Sequence, residues 1–291
     1  MDKVELPKAD NEVEVNLNGT MKKLKDFTPE DWVILDCQNY NEAVGSLNEE
    51  DNIDCPICKN KGEIAYIENG QVYVKRCSCW NKRVIYKKMA KCGISRDMLE
   101  RYSFSHFVVK NEWQKLLKER VYDYATKIKE GKKYWICLGG QSGCGKSHLC
   151  TALFKRFLEN GFDSEFMLWN EEVPKILSLE KSSSEENQRK YQSRIRRLQN
   201  VQILYIDDFL KLTSNKYNND SISLAYKILN SRYNDYNKIT IISTEYSKTQ
   251  VEQTDIAIWG RINERTNFGK YWVTIKEDPS RNYRNNSDEE I

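Results

Sequence analysis

The sequence predicts an α/β protein, a central parallel sheet with helices on both faces, preceded by a small metal-stapled module. Three observations predict it. Short apolar runs alternate with helical stretches from residue 113 onward, a glycine-rich loop follows the first of those runs, and four closely spaced cysteines flank a hairpin signal ahead of them.

The bulk properties set the bounds. A chain of 291 residues makes one large domain or two small ones, and 39% hydrophobic residues are enough to bury a core, which excludes a wholly disordered chain. The charge is uneven: residues 1–51 carry 5 Lys/Arg against 13 Asp/Glu, and the rest carry 41 against 30. A basic body behind an acidic head suits a nucleic-acid binder with a separate docking segment, and equally a solvated acidic tail. Met1-Asp2-Lys3-Val4-Glu5 lacks the basic-then-apolar pattern of a signal peptide, and no apolar run nears the ~20 residues of a membrane span. No membrane association and a reducing cytoplasm are therefore expected, where closely spaced cysteines are metal ligands rather than disulfides.

Residues 1–50 show no sustained period and are expected to be a short helical or flexible lead-in. In 52–80, Ile64-Ala65-Tyr66-Ile67 and Val72-Tyr73-Val74 flank the turn signal Asn69-Gly70. Trp113, Leu117, Val121, Tyr124 and Ile128 repeat at helical spacing, and Gly131 stops that helix. A strand over 134–138 runs into the glycines. A helix with Leu149, Leu153 and Phe157 on one face follows, then a strand over 165–169, a charged helical stretch to about Asn200, a strand over 201–206, a helix over 221–236 and a strand over 239–243. The patch Lys181-Ser182-Ser183-Ser184-Glu185-Glu186 reads as a loop.

Gly140-Gln141-Ser142-Gly143-Cys144-Gly145-Lys146-Ser147 fits G-x-x-x-x-G-K-[ST] at every fixed position. The glycines let backbone N–H groups point at phosphates, and a following helix adds the positive end of its dipole. Lys146 then neutralises the outer phosphates of ATP, and the Ser147 hydroxyl takes one Mg²⁺ position. Four apolar residues lead into Asp207 and Asp208; Asp207 is expected to hold Mg²⁺ and Asp208 to polarise the attacking water. Fast ATPases more often carry glutamate at the second position, so Asp208 suggests slow turnover.

Cys55-Pro56-Ile57-Cys58 and Cys77-Ser78-Cys79 stand 18 residues apart, and the intervening hairpin brings the pairs together as a Cys₄ zinc site. Metal binding would then supply much of that module's folding free energy. Cys37, Cys92, Cys137, Cys144 and Cys150 read as core or loop residues, with Cys144 open to oxidation because it lies in the phosphate loop.

With these residues in hand, the chain from about Asp54 onward resembles the DnaC/DnaI-type replicative helicase loaders and their phage counterparts, relatives of the IstB transposition ATPases. The resemblance is carried by the cysteine pattern, Gly93-Ile94, Tyr102-Ser103-Phe104-Ser105-His106-Phe107, Gly145-Lys146-Ser147-His148-Leu149, Ile206-Asp207-Asp208, Asn230-Ser231-Arg232-Tyr233 and, weakly, Asn282-Tyr283-Arg284. It implies an AAA+ P-loop fold in which neighbouring subunits complete one another's ATP sites, and it adds His148 to the nucleotide-binding loop. It also implies a sensor at the end of the fourth strand, Thr244 or Glu245, where the family more usually has asparagine. Gly260-Arg261-Ile262-Asn263-Glu264-Arg265 resembles the segment carrying the arginine finger, with Arg265 favoured and Arg261 second. The interval holding Arg189, Lys190, Tyr191, Arg194, Arg196 and Arg197 corresponds to elements facing single-stranded DNA, where cations would meet phosphates and Tyr191 would stack on a base.

The domain plan is an acidic segment (1–50), a zinc-binding helicase-docking module (51–95) and an AAA+ ATPase domain (96–291). The leading expectation is an ATP-dependent helicase loader with ATP, Mg²⁺ and Zn²⁺ as cofactors. It would bind the replicative helicase, single-stranded DNA and further copies of itself, in the bacterial cytoplasm and encoded by cell or phage. An IstB-like transposition ATPase and a nucleotide-switched DNA-binding adaptor with little hydrolysis remain alternatives; a small-molecule P-loop kinase lacks any signal for an acceptor lid. The sequence leaves open which helicase is bound, the stoichiometry, and which basic residues touch DNA.

Overall fold

The computed structural model describes residues 13–91, 96–211 and 219–282, and the chain divides at Lys87 into two compact units. In the first unit, strands β1 (Glu14–Leu17) and β2 (Thr20–Lys23) pair antiparallel about Asn18-Gly19. Helix α1 (Pro29–Glu42) starts at a reciprocal cap between Thr28 and Asp31, with proline in its first turn. A short helix α2 (Leu47–Asp51) leads to strands β3 (Glu63–Glu68) and β4 (Gln71–Arg76), and helix α3 (Cys79–Lys91) follows. The β3–β4 hairpin turns where the sequence places it: Asn69 and Gly70 have φ of 50° and 72°, both left-handed as a two-residue hairpin turn requires.

Within 1–50, the short helical or flexible lead-in expected from sequence is a hairpin and a fourteen-residue helix. Its tie to β3 is polar. The Asn41 side chain donates to Ala65 O at 3.0 Å and accepts from Ala65 N at 2.8 Å, filling hydrogen-bonding positions of the strand.

The second unit opens with α4 (Arg96–Arg101) and α5 (Glu112–Lys129), the latter burying the predicted Leu117, Val121, Tyr124 and Ile128. There follow β5 (Ile136–Gly140), α6 (Lys146–Glu159), β6 (Ser164–Leu168), α7 (Trp169–Glu180), α8 (Glu185–Asn200), β7 (Ile203–Asp207), α9 (Asn219–Tyr233), β8 (Ile239–Ser243), α10 (Lys248–Thr254), α11 (Ile256–Arg265) and β9 (Trp272–Ile275). The five strands form one parallel sheet in the order β6-β7-β8-β5-β9. Strands β5, β7 and β8 are buried at every residue, which is why they read as largely apolar runs; Thr240 within β8 is buried because its hydroxyl accepts from Arg232 Nε at 3.0 Å. The charged stretch to Asn200 is two helices, α7 and α8, divided at the serine patch.

This topology builds the site. Parallel strands all end on one edge, so the loops leaving β5, β7 and β8 converge there, with β8 between the other two. Trp135, Trp169, Tyr205, Phe154 and Leu138 are fully buried around the sheet and fix those strand ends. Among the described residues, no helix is long and apolar enough to cross a membrane.

Candidate functional site

The phosphate loop leaves β5 at Gly140, where φ is 104° and an added Cβ would lie 2.0 Å from Ile275 O, so only glycine fits beside β9. At the other end Gly145 has φ of 88°, and a Cβ there would strike the Phe107 ring at 2.7 Å. Helix α6 begins immediately after it, with Lys146 in its first turn. Lys146 Nζ donates to Gly140 O at 2.8 Å and Gln141 O at 2.6 Å, which holds the ammonium over the loop.

The loop, Lys146, Ser147, Asp207 and Asp208 line one cavity of about 420 Å³. Ser147 Oγ donates to Asp207 Oδ1 at 3.0 Å, bringing together the hydroxyl of the loop and the carboxylate at the end of β7. Ser243 at the end of β8 also donates to that oxygen, a contact the sequence reading missed. Two hard oxygen donors meeting beside a phosphate loop fit Mg²⁺, which takes one or two protein oxygens and completes its shell with water and phosphate. Asp208 has φ of 53°, and burial, followed by the charge of Asp207, pushes its carboxyl above the usual carboxylate range.

The two sensor candidates have different surroundings. Thr244 is buried, and its hydroxyl donates to Phe209 O at 2.8 Å, so it braces the turn after β7. Glu245 lines the cavity and accepts from Lys211 Nζ at 2.9 Å. Burial alone would raise the Glu245 carboxyl, but hydrogen bonds from Lys211 and Ser142 outweigh it and hold the carboxyl below its usual range. Lys211 was not foreseen, because its position depends on how the Asp208 turn folds back.

The cavity is covered by Tyr102, His106 and Phe107. His148 Nε2 donates to Ser103 O at 2.8 Å, and its ring meets Tyr102 and Phe107 at 5.0 and 5.3 Å between centroids. His148 therefore ties the covering segment to α6. A carbonyl acts only as an acceptor, so Nε2 carries the proton. Cys144, expected to be open to oxidation, is fully buried, and burial pushes its thiol pKa up, leaving it a poor nucleophile. Gly93 and Ile94, Cys92, and Tyr283 and Arg284 lie outside the described residues.

Arg265 does not fit the arginine-finger role. It is 2% exposed, and its guanidinium donates to five backbone carbonyls, those of Lys133, Arg232, Tyr233, Asp235 and Lys238, at 2.7 to 3.2 Å. A side chain holding its own fold together cannot reach a neighbour. Arg261 is partly exposed, with its guanidinium on Asn230 Oδ1 at 2.9 Å and the Tyr226 hydroxyl at 3.0 Å.

The basic stretch of α8 is also largely committed within the subunit. Tyr191 is buried, its hydroxyl on the Glu180 carboxylate and the Lys227 ammonium, so it cannot stack on a base. Arg194 pairs with Glu165 and Glu172, and Arg197 with Asp163 and Glu165. Lys190 and Arg189 are exposed but form helix-surface pairs with Glu186 and Glu185. Arg196 is exposed and shares a shallow groove with Gln188, Arg189, Gln192 and Ser193.

In the first unit, the sulphurs of Cys55, Cys58, Cys77 and Cys79 all lie within 4.8 Å of one another, with Cys55–Cys77 at 3.8 Å and Cys58–Cys79 at 3.5 Å. A tetrahedral zinc with bonds of about 2.3 Å sets its sulphurs about 3.8 Å apart, so the four thiols fit that metal. Gly62 N donates to Cys58 Sγ at 3.3 Å. Arg83 reaches Cys79 Sγ at 3.5 Å while gripping Asp51 with one nitrogen at 2.5 and 2.6 Å, and it orients the cluster from behind.

The chain is similar to several known proteins. The model of the AAA family, ATPases associated with various cellular activities, matches residues 136–270. The phage-like element PBSX protein XkdC of Bacillus subtilis (strain 168) is 27% identical over 231 residues, spanning 77% of this chain and 82% of that protein. AMPPCP-bound DnaA from Aquifex aeolicus superposes with a TM-score of 0.48 at 16% identity, over 61% of this chain and 50% of that one, so the match spans half of that protein. The crystal structure of the DnaC helicase loader superposes with a TM-score of 0.46 at 17% identity, over 63% of this chain and 100% of that one.

Proposed function

The chain carries an AAA ATPase domain at residues 136–270, and from that premise we propose that it is a helicase loader: an ATPase that grips the replicative helicase and single-stranded DNA and releases them on hydrolysis. The observation that carries the reading is the union, in one chain, of this ATPase domain with a preceding compact unit built around four clustered thiols. An ATPase that only turns over nucleotide has no need of such a unit, whereas a loader needs a surface for its cargo. Exposed Val44, Ile57 and Trp32 give the first unit apolar surface for a protein partner.

ATP is the nucleotide, held by residues 140–148. Ser147 and Asp207 hold Mg²⁺, which supplies charge neutralisation at the outer phosphates. Asp208 orients the attacking water and accepts its proton, and the shorter carboxylate makes turnover slow. Glu245 rather than Thr244 is the sensor, since Glu245 lines the cavity. Arg261 reaches the ATP site of a neighbouring copy. Zn²⁺ is held by Cys55, Cys58, Cys77 and Cys79 and fixes the docking unit. Of the α8 residues, Arg189, Lys190 and Arg196 meet DNA phosphates. Residues 1–50 and 51–95 act together as the docking module, since the chain up to Lys87 forms one compact unit, and 96–291 is the ATPase domain.

The test is capture. Full-length protein with Mg·ATP is expected to retain the host's purified replicative helicase on a column, and a Cys58→Ser variant to lose it while still binding ATP. Retention of a transposase in place of the helicase would move the assignment to the IstB-like reading.

A further inference from the structure

The cavity holds a lysine, paired with two of its acids, that the proposed catalytic roles leave unused. Lys211 Nζ lies 2.9 Å from Glu245 Oε1 and 3.7 Å from Asp208 Oδ2, and all three residues line the cavity that contains the phosphate loop. The arrangement is built rather than incidental. After β7 the chain makes a tight turn with Asp208 and Leu210 at φ of 53° and 67°, and Lys211 N donates back to Asp208 O at 2.9 Å. Three further bonds staple that turn to the end of β8: Phe209 N to Ser243 O at 2.8 Å, Asp208 N to Ser243 Oγ at 3.3 Å, and Thr244 Oγ1 to Phe209 O at 2.8 Å. Phe209 and Leu210 are buried beneath it, so the turn has no room to swing, and it aims Lys211 at the cavity.

Charge gives the arrangement its purpose. A triphosphate with its γ-phosphate near Asp208 would face two carboxylates, Asp208 and Glu245, with Lys146 as the loop's own cation. Opposed anions in a partly buried cavity repel strongly unless a cation lies between them. Lys211, within 4 Å of both carboxylates, is placed to be that cation, and an ammonium with three donors can bridge a carboxylate and a phosphate oxygen together.

We infer that Lys211 is a γ-phosphate ligand contributed by the same subunit, and that Glu245 is the positioning residue that holds its ammonium in place. The inference rests on the reading of this cavity as the Mg·ATP site. It makes the pair a discriminator of ATP from ADP, since only ATP carries the phosphate that Lys211 meets.

The experiment measures Mg²⁺-dependent affinity for ADP and for a non-hydrolysable ATP analogue in the full chain, for wild type, Lys211→Met, Glu245→Gln and the double variant. Lys211→Met is expected to weaken the analogue about tenfold, the loss of one charge-assisted bond, and to change ADP less than twofold. Glu245→Gln alone is expected to lose part of the same preference and to add nothing in the Lys211→Met background. Equal weakening of both nucleotides by Lys211→Met, no change in either, or an undiminished effect of Glu245→Gln in the double variant would overturn the inference. Wild type that binds neither nucleotide would instead remove the reading of the cavity on which it stands.

Discussion

Replacing Arg265 with alanine should unfold the ATPase domain more easily rather than silence a contact between subunits. Of its five carbonyl acceptors, three have a second donor: Arg232 O from Asp235 N, Asp235 O from Lys238 N, and Lys238 O from Trp135 Nε1. Among the described hydrogen bonds, Tyr233 O and Lys133 O have Arg265 alone. Two carbonyls left without a donor cost about 1–3 kcal/mol each. The guanidinium also lies 4.9 Å from the Trp135 ring and 4.6 Å from that of Tyr236, worth roughly 0.5–1 kcal/mol apiece. A loss of about 3–8 kcal/mol follows, large against the roughly 5–15 kcal/mol that holds a typical domain. Urea unfolding followed by tryptophan fluorescence reads it directly. With a slope of about 2–3 kcal/mol per molar, the midpoint should fall by more than about 1 M. Arg261→Ala, whose bonds are partly exposed, should move it by less than about 0.5 M. An Arg265→Ala protein with the wild-type midpoint that nevertheless loses assembly-stimulated hydrolysis would refute the reasoning and return Arg265 to the finger role.

Acidification should stop hydrolysis early. Burial, and then Asp207, raise the Asp208 carboxyl above 3.8, so as pH falls it takes up a proton before an ordinary carboxylate would. The acidic limb of the kcat/KM profile is expected above that value and further up in Lys211→Met, which removes a charge that favours the ionised form; a limb at or below 3.8 would contradict this. In the first unit, Cys58→Ser should abolish retention of zinc, measured by a chromogenic chelator after thiol modification, and loosen the unit's fold; full retention would exclude the tetrahedral Cys₄ site. On α8, Arg189→Ala with Arg196→Ala should reduce the salt slope of single-stranded DNA affinity by about 1.4, two charges at about 0.7 each. Tyr191→Phe should leave it alone, and the reverse pattern would mean that the exposed face is not the one DNA meets.

What was legible in the sequence follows from where the information sits. Strands β5, β7 and β8 are buried on both faces, so their residues are mostly apolar, and the phosphate loop and Asp207 stand at the ends of β5 and β7 in fixed local patterns. The β3–β4 hairpin was equally local, declared by Asn69-Gly70. Strand β9 was missed although Tyr271-Trp272-Val273-Thr274-Ile275 is aromatic and β-branched, because four strand residues after a helix carry little period. The β1–β2 hairpin was missed despite Asn18-Gly19 and the alternation of Val13, Val15 and Leu17. The side-chain misassignments share one cause. Arg194, Arg197 and Arg265 are long cations that read as solvated or ligand-facing, and their true partners, Glu165, Glu172 and Asp163 for the first two and the carbonyls of 133 and 232–238 for the third, come from distant parts of the chain. Lys211 was invisible for the same reason, since a positive-φ turn at Asp208 decides where it points.

The Mg·ATP site centres on the meeting of Ser147 Oγ and Asp207 Oδ1 at 3.0 Å beside the phosphate loop. Titration calorimetry of ATP with and without Mg²⁺, on wild type, Lys146→Ala and Asp207→Asn, tests it in one series. The expected result is Mg²⁺-dependent ATP binding by wild type, binding abolished by Lys146→Ala, and Mg²⁺ dependence lost in Asp207→Asn. Wild type that takes up no ATP, or a Lys146→Ala protein that binds it undiminished, would contradict the account.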